Sequence, residues 1–140
     1  MPDETLAPLA TLAPASTDLS APHLDGLRAG ELRLQHCVQC GKYQYPGESF
    51  CYHCPSTELN WQAVEGNGTV YSFIIVHQRY HPAFGDRLPY NVAIVELDEG
   101  PRMIANVLDV GDKGVEIGMR VRPRIEQLDD ETAALFFEPA

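Results

Sequence analysis

Residues 37–54 read CVQCGKYQYPGESFCYHC and hold all four cysteines of the 140-residue chain, as two Cys-x-x-Cys pairs separated by residues 41–50. A Cys-x-x-Cys on a tight turn aims both sulfurs at one ion, and a second such turn closes a tetrahedron. Zinc favours four thiolates because it is borderline soft and makes no directional d-electron demand. Gly41, just after Cys40, relaxes the first turn and lets backbone N–H groups reach the sulfurs. Cys37, Cys40, Cys51 and Cys54 are therefore the expected ligands of a tightly held Zn²⁺. Four protein ligands leave no position for water or substrate, so the expected metal is structural. The alternatives are two disulfides or a redox pair. The redox reading lacks a βαβ context, and a reducing compartment disfavours disulfides. His36 and His53 flank the cysteines and could each replace one sulfur, but with four thiols at hand they are expected as neighbours.

Upstream, residues 1–21 (MPDETLAPLATLAPASTDLSA) are rich in Pro, Ala and Thr without helical or strand periodicity, and are expected as a flexible arm, the alternative being a segment that orders on a partner. Ser20 as a cap, Pro22 in the first turn and Leu24 and Leu27 three apart predict a short helix ending near Gly30. ELRLQHC then alternates Leu32, Leu34 and His36 against Glu31, Arg33 and Gln35, as a strand entering the cysteine knot would. Downstream of Trp61 the signals turn to β: GNGTVYSFIIVHQ, YNVAIVELDEG, PRMIANVLD, MRVRPRIEQLDD and TAALFFEPA read as five strands. The short link at Asp98-Glu99-Gly100 predicts a hairpin between the second and third. Five short strands suit a closed antiparallel barrel of the OB type, which hides its own edges. Pro123 should then occupy an edge or a bulge. The expected architecture is mainly β: an N-terminal helix and a rubredoxin-like zinc ribbon over 22–61, then a five-stranded OB-fold barrel over 62–140. The barrel's apolar side is expected from Val70, Ile74, Val76, Val92, Ile94, Val107, Val121, Leu135 and Phe137.

Ten Lys and Arg against twenty Asp and Glu give a formal net charge of −10. Four thiolates around one Zn²⁺ would add about two more negative charges. Such a field repels a phosphate backbone, so nucleic acid is not the expected partner. No apolar run approaches the roughly 20 residues that span a bilayer. The N-terminus lacks the basic and apolar regions of a signal peptide, so a cytoplasmic location is expected, with no membrane partner.

No nucleophile elbow, phosphate loop, dinucleotide fingerprint or His-Glu-x-x-His motif is present. Two stretches could make contacts. The loop HQRYHPAFGDRLPY gathers Arg79, Tyr80, His81, Phe84, Arg87 and Tyr90, and is longer than an ordinary hairpin link. It reads either as a cap of aromatics over the barrel end or as a contact surface, since Tyr, Phe and Arg are favoured at interfaces. In RVRPR, Arg120, Arg122 and Arg124 share one face of a strand. That stripe could grip phosphates, or be a solvated face paired with carboxylates such as Glu126, Asp129, Asp130 and Glu131.

The order of helix, four-cysteine ribbon, Trp61 linker and barrel resembles the zinc-ribbon/OB-fold acyl-CoA-associated proteins, small subunits that accompany thiolase-fold enzymes. LRLQHCVQCGKYQYPGESFCYHC, Trp61, GNGTVYSF, PYNVAIVELDEGPRM and the closing strands carry the likeness, which spans about Pro22 to Phe137. The resemblance implies a non-catalytic subunit that pairs with a thiolase-fold enzyme in acyl transfer, Claisen condensation or retro-aldol cleavage. It implies acyl-CoA at the shared interface, with catalytic groups on the partner. A nucleic-acid-binding zinc-ribbon/OB-fold protein is the alternative, and needs a basic groove with stacking aromatics.

Overall fold

The computed structural model describes residues 4–85 and 87–140. A helix, α1 (Ala21–Arg28), precedes eight strands: β1 (Leu32–Cys37), β2 (Tyr43–Gln44), β3 (Leu59–Val64), β4 (Gly68–Val76), β5 (Tyr90–Leu97), β6 (Arg102–Ala105), β7 (Arg120–Gln127) and β8 (Ala133–Pro139). They form a three-stranded sheet, β2-β1-β3, and a five-stranded sheet, β6-β5-β4-β7-β8. The second sheet bends round until Val107, just beyond β6, bridges Phe137 of β8 in parallel. Leu108 N–H donates to the Phe137 carbonyl at 2.7 Å and Phe137 N–H to the Asn106 carbonyl at 3.0 Å, leaving a nearly closed five-stranded barrel. All five barrel strands read from the sequence are present. Among the described residues no helix is long and apolar enough to cross a membrane.

Ribbon and barrel share one core. Leu32 and Leu34 of β1 are buried in the same cluster as Val70, Ala93, Val95, Leu97, Met103, Val107, Val121 and Phe137. β1 and β3 pair from Leu32↔Val64 to Cys37↔Leu59, so the strand that begins in the barrel core ends as the first metal-ligand turn. Pro123 pairs with Phe137 of β8, while the β4–β7 ladder covers only Arg120 and Val121. The missing N–H of the proline thus lies past the end of that ladder, as its chemistry requires.

Gly66 makes the corner between β3 and β4. Its φ is +73°, and a Cβ there would lie 2.4 Å from Leu32 Cδ2 and 2.9 Å from Pro123 Cγ. Left-handed backbone and overpacking add together, so Gly66→Ala is expected to destabilise the fold by about 2–4 kcal/mol. Urea unfolding would read this as a lower midpoint at unchanged slope.

Three expectations change. Over its described part, the arm expected at 1–21 carries a 3₁₀ helix, Glu4–Leu12, with Leu6 fully buried against Leu128 and Phe136; residues 1–3 lie outside the described residues. Leu6, Leu9 and Leu12 recur every third residue, the period of a 3₁₀ helix. Ser20 stands at the helix N-cap but makes no capping bond; its Oγ accepts from Thr17 N–H at 2.9 Å instead. Finally, Ile74 does not face the core. A bulge between Val70 and Ser72 shifts the register of β4, so Val70 and Phe73 pack inward and Ile74 is 61% exposed. On β5, Ala93, Val95 and Leu97 are buried, whereas Val92 and Ile94 lie on the half-exposed outer face.

Candidate metal centre and its surroundings

β1 ends at Cys37, where Cys37 N–H donates to the Lys42 carbonyl and Gly41 N–H to the Cys37 carbonyl. Gly41 takes φ +76°, which folds this first turn and brings Cys40 back beside Cys37. The second turn is set by Cys51 N–H donating to the Ser56 carbonyl at 2.8 Å. The four sulfurs converge within 4.8 Å of one another. Cys37 Sγ lies 3.5 Å from Cys54 Sγ, and Cys40 Sγ 3.7 Å from Cys51 Sγ. A tetrahedron with metal–sulfur bonds of about 2.3 Å has edges near 3.8 Å, so the set fits an ion of that size. Cys40 N–H donates to Cys37 Sγ and His53 N–H to Cys51 Sγ, offsetting negative charge on the sulfurs. Cys37 and Cys51 are buried, Cys54 half-buried and Cys40 exposed. All four sequence-nominated cysteines meet in one place. His36 is turned away, its Nδ1 3.2 Å from Gln62 Nε2 and its ring against Tyr43.

Without a cation, Cys37 and Cys54 titrate unequally. The Cys40 N–H, assisted by the neighbouring sulfurs, lowers Cys37 to about 7. The Ser56 backbone favours the Cys54 thiolate, but burial and the Cys37, Cys40 and Cys51 side chains outweigh it and push Cys54 up to about 12. Four thiolates cannot share this volume uncompensated; a divalent ion supplies the missing positive charge.

The contact candidates fall in two separate places. In the β4–β5 loop, Pro82–Phe84 forms a 3₁₀ turn whose Ala83 N–H donates to His81 Nδ1. Phe84 stacks on Tyr90 at 4.6 Å with 8° between the rings, and Arg87 donates to Thr5 Oγ1. Arg79 is exposed, and Tyr80 is 72% exposed. On β7, Arg120 donates to both Asp98 carboxylate oxygens at 2.8 and 2.7 Å. Arg122 pairs with Glu138, and Arg124 with Glu126 and Asp109. The Arg stripe is therefore matched by carboxylates and offers no basic groove, and the nucleic-acid alternative finds no support.

An outer apolar face went unread in the sequence. Ile104 of β6 lies opposite Ile94 of β5, and Val92 opposite Ile74 of β4. Ile74 and Ile104 are 61% and 74% exposed. Tyr71 flanks them beneath the Arg102 guanidinium, 3.8 Å from its ring centroid, and Arg102 also pairs with Glu96. Contiguous exposed aliphatics on a sheet mark a contact surface.

A cleft of about 320 Å³ opens between the N-terminal segment, α1, β6 and β8, with His23 and Tyr45 among its lining residues. His23 is 6% exposed; its Nδ1–H donates to the Arg33 carbonyl at 2.9 Å and its ring lies against Tyr45. Burial lowers the His23 pKa against the opposing pull of that carbonyl. A histidine held neutral contributes stability that is complete above the unfolded value of about 6.5 and lost as pH falls below it. Urea titrations at pH 7.5 and 5.5 should show wild type losing more stability than His23→Phe, which cannot titrate. Equal losses would remove His23 as the cause.

The comparisons agree with this architecture. Residues 24–60 match the family described as "ChsH2, rubredoxin-like zinc ribbon domain", and residues 61–126 "ChsH2, C-terminal OB-fold domain". A probable enoyl-CoA hydratase alpha subunit of Thermomonospora curvata is 40% identical over 111 residues, covering 78% of this chain and 34% of that protein. The 3-oxo-4,17-pregnadiene-20-carboxyl-CoA hydratase alpha subunit of Mycobacterium tuberculosis is 35% identical over 122 residues, covering 87% of this chain and 38% of that protein. The chain thus spans little more than a third of these relatives. A solved structure titled Ltp2-ChsH2(DUF35) aldolase superposes with a TM-score of 0.81 at 34% identity, over 91% of this chain and 98% of that one.

Proposed function

Because the chain belongs to the ChsH2 zinc-ribbon/OB-fold family, we propose that it is a non-catalytic accessory subunit of a thiolase-superfamily acyl-CoA complex. The observation that carries this reading is the match, over nearly the whole of both chains, to a component of a structure named as an aldolase. The two hydratase relatives, each named as an alpha subunit acting on a CoA thioester, support it. So does the chemistry within the chain: the thiols lie together as a metal set, and His23 is buried and bonded to backbone.

In this reading Cys37, Cys40, Cys51 and Cys54 hold a Zn²⁺ that is structural, with its coordination filled by protein. The enzyme subunit docks on the outer face of β4, β5 and β6, through Tyr71, Ile74, Ile94 and Ile104. Arg79 and Tyr80 extend the contact where the β4–β5 loop leaves the Ile74 end of the face, over the frame built by His81, Phe84 and Tyr90. A second copy of the chain would carry a further net charge of −10. An enzyme surface with an apolar strip and a basic margin suits it better. Docking completes the acyl-CoA channel, for which the cleft beside His23 offers an apolar wall. Arg120 and Arg122 stand on β7, bound to Asp98 and Glu138, and would meet acyl-CoA phosphates only by exchanging those partners. The location is cytoplasmic.

The isolated, zinc-loaded chain is expected to hydrate, cleave or condense no acyl-CoA thioester, while restoring turnover to its thiolase-fold partner. Turnover by the chain alone would overturn the non-catalytic role.

A further inference from the structure

The chain from Pro46 to Cys51, which delivers the second cysteine turn to the first, belongs to no strand. Its backbone is met instead by two buried glutamines from neighbouring strands, Gln35 of β1 (5% exposed) and Gln44 of β2 (3% exposed). Gln35 Oε1 accepts from Glu48 N–H at 2.9 Å, and Gln35 Nε2 donates to the Glu48 carbonyl at 2.9 Å. One side-chain amide thereby makes both bonds that a β partner would make. Gln44 repeats the device around Cys51: its Oε1 accepts from Tyr52 N–H at 2.9 Å, and its Nε2 donates to the Phe50 carbonyl at 3.0 Å and to Gln35 Oε1 at 2.7 Å. The residues on either side of Cys51 are thus tied to one side chain. Burying such amides is unfavourable unless every donor and acceptor is met, and a fully met network fixes one geometry.

We propose that Gln35 and Gln44 are positioning residues of the metal centre, holding the second cysteine turn in place before the ion arrives. The consequence for metal affinity rests on the zinc reading above; the preorganisation itself does not. Ordering of residues 46–52 is then part of chain folding, and metal binding need only draw the sulfurs together. Gln62 of β3 is the natural control: it bonds His36, Asn60 and Tyr43, and no residue between Pro46 and Cys54.

Two measurements test this. The first is amide hydrogen exchange on the reduced, metal-free wild-type chain. The Glu48 and Tyr52 amides are expected to exchange at least about 100-fold slower than unprotected ones, and Gln44→Leu is expected to abolish the Tyr52 protection. The second is zinc release from the loaded chain to a chromophoric chelator. Gln44→Leu is expected to accelerate release about 10–100-fold, with Gln62→Leu near wild type. Gln44→Glu, which keeps the acceptor for Tyr52 N–H, is expected to regain part of that protection. Unprotected Glu48 and Tyr52 amides in metal-free wild type would overturn the proposal, as would equal acceleration by Gln62→Leu. Protected amides in a wild-type chain that binds no zinc would sink the zinc reading and leave the positioning role standing.

Discussion

Replacing Cys51 with Ser is expected to reduce bound zinc from about one ion per chain to near zero and to lower Tm by about 10–15 °C. Cys51 is buried, its N–H is tied to Ser56, and its sulfur stands 3.7 Å from that of Cys40. A serine hydroxyl there stays protonated and is a poor zinc ligand, so three thiolates face a position that cannot complete the shell. With free zinc a thousandfold above Kd, bound metal stabilises the native state by about 4 kcal/mol, which the variant forfeits. Chelation of wild type should reproduce the shift. Acidification should weaken zinc retention, because protons compete for the sulfurs. Cys54, at about 12 without metal, must lose its proton to bind, so affinity rises with pH. Metal analysis beside a thermal scan checks both halves. A Cys51→Ser chain that keeps wild-type zinc would show that the four sulfurs are not the ligand set.

The pair Ile74→Glu and Ile104→Glu is expected to weaken association with the enzyme subunit by more than about 100-fold while leaving the fold intact. Both side chains are largely exposed, so the free chain should change by only a few tenths of a kcal/mol. At an interface the same substitutions place two carboxylates in an apolar contact without partners, each worth several kcal/mol. Isothermal titration against the proposed enzyme subunit measures the first effect and a urea curve the second. Unchanged affinity would move the interface elsewhere. A wild-type chain that dimerises by itself, with a monomeric variant, would assign the face to a second copy.

The cysteine cluster was legible because spacing alone constrains it: two Cys-x-x-Cys turns can bring four sulfurs to one place, as they do. The strands were legible for a similar reason, being short apolar runs separated by turn residues. Inner and outer faces were harder to assign. NVAIVEL is apolar at both parities, and the deciding mark is Glu96, which shares its face with Ile94 and Val92. Arg102 marks Ile104 in the same way on β6. On β4 no mark could serve, because the bulge after Val70 breaks the alternation itself. Gln35 and Gln44 were illegible for a different reason. A glutamine alternating with leucine reads as a solvated face, and only the 46–52 loop lying across β1 and β2 buries it. The N-terminal 3₁₀ helix is hidden from α-helical and strand patterns because Leu6, Leu9 and Leu12 recur at 3, neither 3.6 nor 2.

The most direct test of the accessory role is capture of the tagged, zinc-loaded chain from its own host, with mass spectrometry and stoichiometry of what accompanies it. A thiolase-fold enzyme recovered in equimolar amount, and lost with the Ile74→Glu/Ile104→Glu chain, is the expected result. Recovery of the chain alone, with acyl-CoA present, would contradict it.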